Sequence, residues 1–167
     1  TVLCCRAVVS RFRESGYGKI VNLSGGGATA PMPRRTAYAA SKAAVVRFTE
    51  SLAVDVAADG LDVNAVAPGA LNTRMLDEVL EAGPSRAGET DHARALRQKV
   101  DGGASPQRAA ALCVFLLSGL SDGLTGRLIS AVWDPWESLA GRREALRESD
   151  VFTLRRISPR DRGLDWG

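Results

Sequence analysis

The sequence predicts an α/β fold built on a parallel sheet. Two short runs, 19–23 and 61–67, are rich in apolar and β-branched residues, and a long segment with helical periodicity, about 37–58, lies between them. Apolar side chains at successive positions indicate strands that are buried on both faces, as in a parallel sheet covered by helices. A strand, a helix and a second strand in this order form a right-handed crossover, so the two strands should run parallel.

Further elements are expected on both sides of this unit. The first helix should end at Gly16, because apolar residues recur at helical spacing up to that glycine. Ser105 and Pro106 suit the N-cap and the first turn of a later helix. The polar residues 82–93 fit either a mobile lid or an ordinary surface loop. The other predicted elements are helices at about 2–12, 73–81, 93–100, 106–118 and 137–148 and a third strand at about 126–132.

The amino-acid composition indicates a globular protein without a nucleic-acid or membrane partner. The chain has 167 residues, of which 45% are hydrophobic and 25% charged, a balance typical of one soluble globular domain. The net charge of +3 is spread along the sequence, and no signal peptide or apolar run of membrane-spanning length is present, so we expect neither a nucleic-acid nor a membrane partner. The three cysteines lack metal-ligand spacing, which predicts reduced thiols, no metal site and a cytoplasmic location.

The start of the long helix contains a candidate acid–base pair. Tyr38 and Lys42 are four residues apart, which places a phenol and an ammonium on the same helix face. The apolar stripe of this helix consists of Val45, Phe48, Leu52 and Val56, and its helical spacing continues backwards to Lys42 and then Tyr38. A lysine on a face meant for the core breaks the hydrophobic pattern, as residues at functional sites often do. A nearby cation stabilises a phenolate, so the pair could exchange a proton with a carbonyl or an alcohol. The alternative is a solvated helix face where the two residues fall by chance.

The two predicted strands place this pair at one edge of the sheet. Ser24 follows the first strand and Pro68 follows the second, so both should lie at the carboxyl edge of a parallel sheet. The helix that contains Tyr38 also starts there. Because ligands of open α/β sheets bind at this edge, the sequence predicts a binding crevice between these segments.

These motifs resemble those of a known family. Tyr38 and Lys42 form a Tyr-x-x-x-Lys motif after a strand that ends Asn-Leu-Ser at 22–24, and Asn-Ala-Val-Ala-Pro-Gly at 64–69 is followed by Thr73. In this combination the chain resembles the short-chain dehydrogenase/reductase family. The resemblance implies a Rossmann-like, doubly wound parallel sheet, of which this chain would be the carboxyl-terminal part.

The resemblance extends over about 1–132, a partial NAD(P)-binding domain, and leaves 133–167 as a carboxyl-terminal extension packed on the same domain. It implies hydride transfer between NAD or NADP and a small carbonyl or secondary alcohol. Tyr38 would be the catalytic acid–base, while Lys42 would favour its phenolate and bind the nicotinamide ribose. The residues implied to line the nicotinamide and phosphate side of the cofactor are Pro68, Gly69, Leu71 and Thr73.

The resemblance also implies a homodimer or homotetramer in which long helices pair across a two-fold axis. Val2, Val9 and Phe12 of the first helix are the apolar residues expected at that interface. The glycine-rich dinucleotide turn of the family and its active-site Asn belong to segments upstream of the matched region. The chain therefore resembles the carboxyl-terminal portion of a longer enzyme, and we expect it to be inactive as a fragment.

One departure from the family lies inside the chain. The serine that polarises the substrate carbonyl would fall at Gly25. Its neighbour Ser24 is a candidate for the role, because the three glycines that follow leave the backbone unusually free, and Thr29 is a second candidate. Alternatively, Ser24 only stabilises the strand end, and Gly25 leaves room for a bulky substrate or a water. The missing serine also fits a different hypothesis, a catalytically silent module kept for binding or assembly.

Overall fold

A parallel sheet forms the centre of the chain in the computed structural model, which describes residues 1–166. The strands are β1 (Gly18–Leu23), β2 (Leu61–Ala67) and β3 (Leu128–Ser130), in the spatial order β1-β2-β3. Gly18 pairs with Leu61 and Ala65 pairs with Leu128, so all three carboxyl ends lie at one edge. The predicted α/β class with a parallel sheet is confirmed, although β3 is shorter than predicted.

Six helices accompany the sheet in the described part of the chain. They are α1 (Val2–Ser15), α2 (Thr36–Asp55), α3 (Arg74–Ala87), α4 (Glu89–Asp101), α5 (Pro106–Leu117) and α6 (Arg143–Arg147). As predicted, α1 ends at Gly16, which adopts the left-handed conformation with φ 67°. The helix predicted at 137–148 is instead a 3-10 helix, Trp136–Arg142, followed by the short α6. Within residues 1–166, no helix is long and apolar enough to cross a bilayer.

The segment predicted as a lid or a loop is helical, so that prediction is wrong. Residues 82–93 form the end of α3 and the start of α4, and the two helices are separated at Gly88. Gly83 interrupts α3 with a non-helical backbone, φ 68° and ψ 171°, directly before Pro84. The helical backbone breaks at Gly83, close to the predicted helix end near residue 81, and a second short helical piece follows from Pro84 to Ala87.

Helices cover the sheet on both faces, because alternate residues of a strand point to opposite sides. Leu61 and Val63 of β2 pack in one cluster with Val9 of α1 and with Ala53 and Val56 at the end of α2. On the other face, the cluster of buried residues is Val66, Ala109, Leu112, Phe115, Leu116, Leu124, Ile129, Ala131, Trp136, Leu139 and Leu146. Helix α5 therefore lies opposite α1 and α2, and side chains from beyond β3 complete its cluster.

The buried face of α2 differs from the predicted stripe. Its buried residues are Val46, Thr49, Glu50 and Ala53. Of the predicted stripe, Val56 is buried, whereas Val45, Phe48 and Leu52 are only half-buried. The hydrophobic pattern does not reveal this face, because Thr49 and Glu50 are polar. Both are hydrogen-bonded inside the protein. Thr49 Oγ1 accepts from Asn22 Nδ2 at 2.9 Å, and Glu50 Oε1 accepts from the Leu154 amide at 2.6 Å.

The α1 surface predicted for subunit contact is also corrected. Val9 is buried and Phe12 is half-buried against the same cluster, so both belong to the core of this chain. Val2 is exposed, as expected. The apolar residues that α1 presents to solvent are Val2, Leu3 and Val8. The prediction of a helix is therefore confirmed, but the face of α1 that packs against the sheet differs from the predicted one.

The residues beyond β3 follow its outer edge. The Leu128 amide donates a hydrogen bond to the carbonyl oxygen of Phe152 at 2.8 Å. The buried guanidinium of Arg127 donates to the carbonyl oxygens of Leu146, Ser149 and Val151. These bonds satisfy backbone acceptors that would otherwise be unpaired next to the sheet. The outer edge of β3 is therefore closed by this chain itself, whereas β1 in the described residues pairs only with β2.

A buried charge cluster lies at the opposite, amino edge of the sheet. The side chain of Lys19 is 3% exposed, and its Nζ lies 2.7 Å from Asp62 Oδ2 and 2.9 Å from Asp122 Oδ1. Burial by itself lowers the pKa of Lys19, but its hydrogen bonds to Asp62 and Asp122 outweigh burial and raise the pKa above the ordinary value. The hydrogen bond from Lys19 lowers the pKa of Asp122. This cluster fixes the ammonium in its charged form.

Replacing Lys19 should destabilise the fold strongly. Lys19→Met keeps most of the side-chain volume but leaves Asp62 buried without its cation, which typically costs about 3 kcal/mol of unfolding free energy. The matched control is Lys99→Met: Lys99 pairs with Asp77 at 2.7 Å, but both side chains are about half exposed, so we expect a loss below about 1 kcal/mol. Urea unfolding of both variants measures the difference, and equal losses would contradict this assignment.

The contribution of Lys19 to the free energy of unfolding should also depend on pH. Because the folded-state pKa of Lys19 is raised, its stabilisation is complete below the unfolded-state value and is lost as pH rises through the folded-state value. The gap in unfolding free energy between the wild type and Lys19→Met should therefore be wide at neutral pH and narrow in the alkaline range. A gap that did not change with alkaline pH would show that packing, and not charge, is what Lys19 contributes.

Candidate active site

Three segments meet at the carboxyl edge of the sheet. Ser24 extends the pairing of β1 with β2, because its amide donates to the carbonyl oxygen of Val66 at 2.8 Å. The 3-10 turn Gly26–Ala28 follows and packs on α2 so closely that a Cβ on Gly27 would lie 3.2 Å from Ala39 Cα. The close approach holds the first turns of α2 against the end of β1. This arrangement agrees with the crevice expected between the loop after β1 and the start of the helix.

Tyr38 and Lys42 lie side by side on α2, and both are half-buried. Lys42 Nζ is 5.7 Å from the centre of the Tyr38 ring and donates a hydrogen bond to the carbonyl oxygen of Leu23 at 3.2 Å. An ammonium has three N–H donors, so this bond leaves two for other acceptors. The lysine is thus anchored to the end of β1 while it keeps capacity to bind hydroxyl oxygens, such as those of a ribose.

A second hydrogen bond between the end of β1 and α2 is donated by Ser24. Its side chain is buried, and Ser24 Oγ donates to the carbonyl oxygen of Lys42 at 3.0 Å. A hydroxyl has one proton to donate, so this bond occupies it. Thr29, the second candidate, is exposed and its Oγ1 donates to the carbonyl oxygen of Gly26 at 3.4 Å. This geometry favours the alternative in which Ser24 stabilises the strand end.

Gly25 lies beside the Tyr38 hydroxyl. Its backbone is extended, with φ 172° and ψ 173°, a conformation open to any residue. A Cβ built on Gly25 would lie 3.1 Å from Tyr38 Oη, and that oxygen is the only atom recorded within 4 Å of it. A side chain at position 25 would therefore point at the hydroxyl of Tyr38. Gly25 itself is buried, and a Cβ there would already be in close contact with that hydroxyl.

The loop after β2 is held rigidly by later parts of the chain. Gly69 has a φ of 92°, and a Cβ there would lie 2.6 Å from Val132 Cγ2 and 2.9 Å from Ala104 Cβ, so packing requires glycine. Gln98 of α4 donates through Nε2 to the carbonyl oxygens of Ala70 and Leu71, at 3.0 and 3.1 Å. The sequence analysis missed Gln98, because a single polar residue on a helix has no spacing that marks it.

The predicted cofactor residues lie along this loop. Pro68 and Leu71 are half-buried, while Gly69 and Thr73 are exposed. Thr73 is the N-cap residue of α3, and no hydrogen bond from its side chain to the helix is formed. Its hydroxyl and the first amides of α3 belong to the segment that follows β2, at the same edge of the sheet as Lys42. Together with the two remaining donors of Lys42, these groups fit the polar nicotinamide-ribose half of a dinucleotide.

The α3–α4 hairpin borders the start of α2. Arg35 Nη2, directly before α2, lies 3.4 Å from Asp91 Oδ2 of α4, and Arg34 Nη1 donates to the carbonyl oxygen of Ser85 at 3.4 Å. A groove of about 430 Å³ runs between the hairpin and the loop before α2, lined by Pro31, Pro33, Arg34, Gly88, Asp91 and Arg94 among others. The hairpin therefore forms a wall one helical turn from Tyr38.

Comparisons with known proteins identify reductases and dehydrogenases as relatives of this chain. The family model described as enoyl-(acyl carrier protein) reductase matches residues 1–131. The short-chain reductase protein NovJ of Streptomyces niveus is 35% identical over 130 residues, which are 77% of this chain and 49% of NovJ. A 2-dehydro-3-deoxy-L-rhamnonate dehydrogenase (NAD(+)) of Sphingomonas sp. (strain SKA58) is 41% identical over 76 residues, 46% of this chain and 30% of that enzyme.

The solved structure of levodione reductase matches with a TM-score of 0.65 and 26% identity, over 81% of this chain and 52% of that one. The chain spans about half the length of the curated relatives it matches. The family model covers the same region as the resemblance in the motifs, and the parallel sheet, Tyr38, Lys42 and the loop after β2 all lie within it. The predicted family is confirmed: the chain belongs to the short-chain dehydrogenase/reductase family.

Proposed function

We propose that the protein containing this chain is an NAD(P)-dependent oxidoreductase that interconverts a small carbonyl compound and its secondary alcohol. The observation that supports this most directly is the Tyr38 and Lys42 pair at the carboxyl edge of the sheet, with Lys42 anchored on Leu23. Relatives that are named as reductases and dehydrogenases agree with this class of reaction. The expected homodimer or homotetramer and the cytoplasmic location stay predictions.

When bound, a nicotinamide dinucleotide, NAD or NADP, supplies or accepts the hydride. Lys42 would bind its ribose through the two N–H donors that Leu23 leaves free. Around the nicotinamide and the phosphates we place Pro68, Gly69, Leu71 and Thr73. The rigid loop after β2 would then orient the cofactor, since Gln98 holds its backbone.

Tyr38 would act as the acid–base. In reduction its hydroxyl gives a proton to the carbonyl oxygen as negative charge develops there, and in oxidation its phenolate removes the alcohol proton. Lys42 Nζ is held 5.7 Å from the centre of the Tyr38 ring, so its positive charge stays beside the tyrosine. Ser24 would be a positioning residue, because its hydrogen bond to the Lys42 carbonyl oxygen holds α2 in place relative to the end of β1. Each of these roles is separable by substitution.

A second candidate function is a catalytically silent binding or assembly module. The glycine at position 25 is the observation that favours it, because a donor that would usually polarise a carbonyl has no counterpart there. The ordered contact between Lys42 and Leu23 favours the enzyme instead, since binding alone does not require an ammonium beside a phenol. The two candidates differ in turnover with NADH or NADPH and a panel of ketones and alcohols.

Tyr38→Phe should lower kcat by at least about a hundredfold, because it removes the transferable proton and little else. Cofactor affinity, measured by quenching of tryptophan fluorescence, should stay close to that of the wild type. Tyr17→Phe is the matched control, since Tyr17 is exposed and its hydroxyl donates to Asp122 at 3.2 Å, far along the sheet from the site. Full activity in Tyr38→Phe would remove this residue from the mechanism.

Lys42→Met should differ from Tyr38→Phe by affecting cofactor binding as well as turnover. Loss of charged hydrogen bonds to the ribose is expected to raise the cofactor dissociation constant about tenfold, alongside a lower kcat. Lys99→Met is again the control, because this exposed lysine pairs with Asp77. Unchanged cofactor affinity in Lys42→Met would show that the ammonium does not contact the dinucleotide.

Ser24→Ala tests the positioning role. Removing its bond to Lys42 should lower the unfolding free energy by about 1 kcal/mol, and turnover should fall less than in the tyrosine variant. If Ser24 instead polarises the substrate, the loss in kcat should reach about a hundredfold with stability nearly unchanged. Urea unfolding and steady-state kinetics on the same preparation separate these outcomes.

A further inference from the structure

We infer that Gln98 of α4 is a positioning residue for the nicotinamide half of the dinucleotide. Its side chain would hold the loop after β2 in the conformation that binds this half, without contacting the cofactor itself. The inference rests on the proposed function and extends it to a residue outside the cofactor-lining segment. Loss of Gln98 should therefore weaken binding of the nicotinamide half and leave binding of the adenosine half unchanged.

The amide group of Gln98 lies among three oxygens of a single loop. Its Nε2 is 3.0 Å from the carbonyl oxygen of Ala70, 3.1 Å from that of Leu71 and 3.2 Å from Asn72 Oδ1. A primary amide has two N–H donors, which these three acceptors share. The opposite orientation of the amide would place Oε1 against the same oxygens, so only the nitrogen fits here. All three acceptors lie inside the segment proposed to line the cofactor.

This loop has few other hydrogen bonds to the rest of the protein. In the part of the chain that the structure describes, residues 1–166, one further bond joins residues 69–72 to another segment: the Ala104 amide donates to the Ala70 carbonyl oxygen at 2.9 Å. Gln98 is the only side chain there that donates to residues 69–72. The second half of the loop is therefore held mainly by Gln98.

Helix α4 is fixed at both ends, so Gln98 reaches the loop from a defined position. In its first turn, Asp91 Oδ2 lies 3.4 Å from Arg35 Nη2, and both side chains are largely buried. Just after its last turn, the backbone packs directly on the loop, because a Cβ on Gly103 would lie 2.7 Å from the Ala70 carbonyl oxygen. The Gln98 amide is thus preorganised against the loop before any ligand binds.

A loop that is already ordered binds its ligand more tightly, because binding does not have to restrict its motion. The family resemblance implies that this loop lines the nicotinamide and phosphate side of the cofactor. The glycine-rich dinucleotide turn of the family belongs to upstream segments, where the adenosine half is expected. An effect of Gln98 that acts through the loop should therefore appear with the whole dinucleotide and be absent with its adenosine half.

Two substitutions test the inference in the full-length protein. Gln98→Glu is nearly isosteric but places a carboxylate oxygen where three acceptors need a donor, and Gln98→Met removes the donor without adding a charge. Dissociation constants are measured for NADH and NADPH by quenching of tryptophan fluorescence. The constants for the two adenosine halves, AMP and 2′,5′-ADP, are measured by competition.

The dissociation constant of the preferred dinucleotide should rise about tenfold in Gln98→Glu and about threefold in Gln98→Met. The constants for the adenosine halves should stay within about twofold of the wild type in both variants. Gln107→Glu is the matched control and should change neither set. Gln107 is the only other glutamine of the chain, it is exposed, and its Oε1 accepts from Ser105 Oγ at 2.9 Å, which a carboxylate can also do.

Failure of the inference is distinguishable from failure of the proposed function. Unchanged dinucleotide affinity in Gln98→Glu, or an equal loss for the adenosine halves, would overturn the inference and leave the proposed function intact. A wild type that binds neither dinucleotide, or turnover that does not depend on Tyr38, would overturn the proposed function and the inference with it. If Gln98→Glu does not fold, Gln98→Met decides, and failure of both to fold would show a structural role instead.

Discussion

Two hydrogen bonds between the end of β1 and helix α2 determine the geometry of the site. Lys42 Nζ donates to the Leu23 carbonyl, and Ser24 Oγ donates to the Lys42 carbonyl. They run in opposite directions across one junction, so α2 can neither slide along the sheet nor rotate about its axis without breaking one of them. The position of Tyr38, one turn away on the same helix, follows from this pair of bonds. Its ring lies beside Lys42 for the same reason.

The junction depends in turn on a sheet that is covered on both faces. Buried residues of β2 alternate between the cluster under α1 and α2 and the cluster under α5, which holds the carboxyl edge in place from both sides. At the opposite edge, Lys19 neutralises Asp62 in a nearly dry environment. The buried ion pair of Lys19 thus stabilises the fold at a distance from the candidate site. The ammonium of Lys42, by contrast, is half-buried and can still contact a ligand.

Sequence reasoning predicted the parts of this molecule in which local pattern and tertiary role agree. The strands, the crossover, the glycine that ends α1 and the pairing of Tyr38 with Lys42 each have a periodicity or a spacing. It failed where polar residues are buried or where tertiary contacts override local signals. Thr49 and Glu50 face inwards because Asn22 and Leu154 satisfy them, which no hydropathy pattern shows. In the α3–α4 hairpin the helical backbone breaks at Gly83 but resumes at Pro84, where the sequence favours a loop.

The two glycines of the site show why composition alone does not reveal function. Gly69 has a left-handed φ and no room for a Cβ, so the fold explains it fully. Gly25 has an extended backbone that any residue can adopt, and a Cβ there would meet Tyr38 Oη at 3.1 Å, so its backbone conformation does not require glycine. In the sequence both are glycines that follow a strand, Gly25 as the first of three and Gly69 after a proline. Their difference appears only when the surrounding atoms are known: a Cβ at Gly69 would clash with Val132 and Ala104, whereas a side chain at Gly25 would meet the hydroxyl of Tyr38.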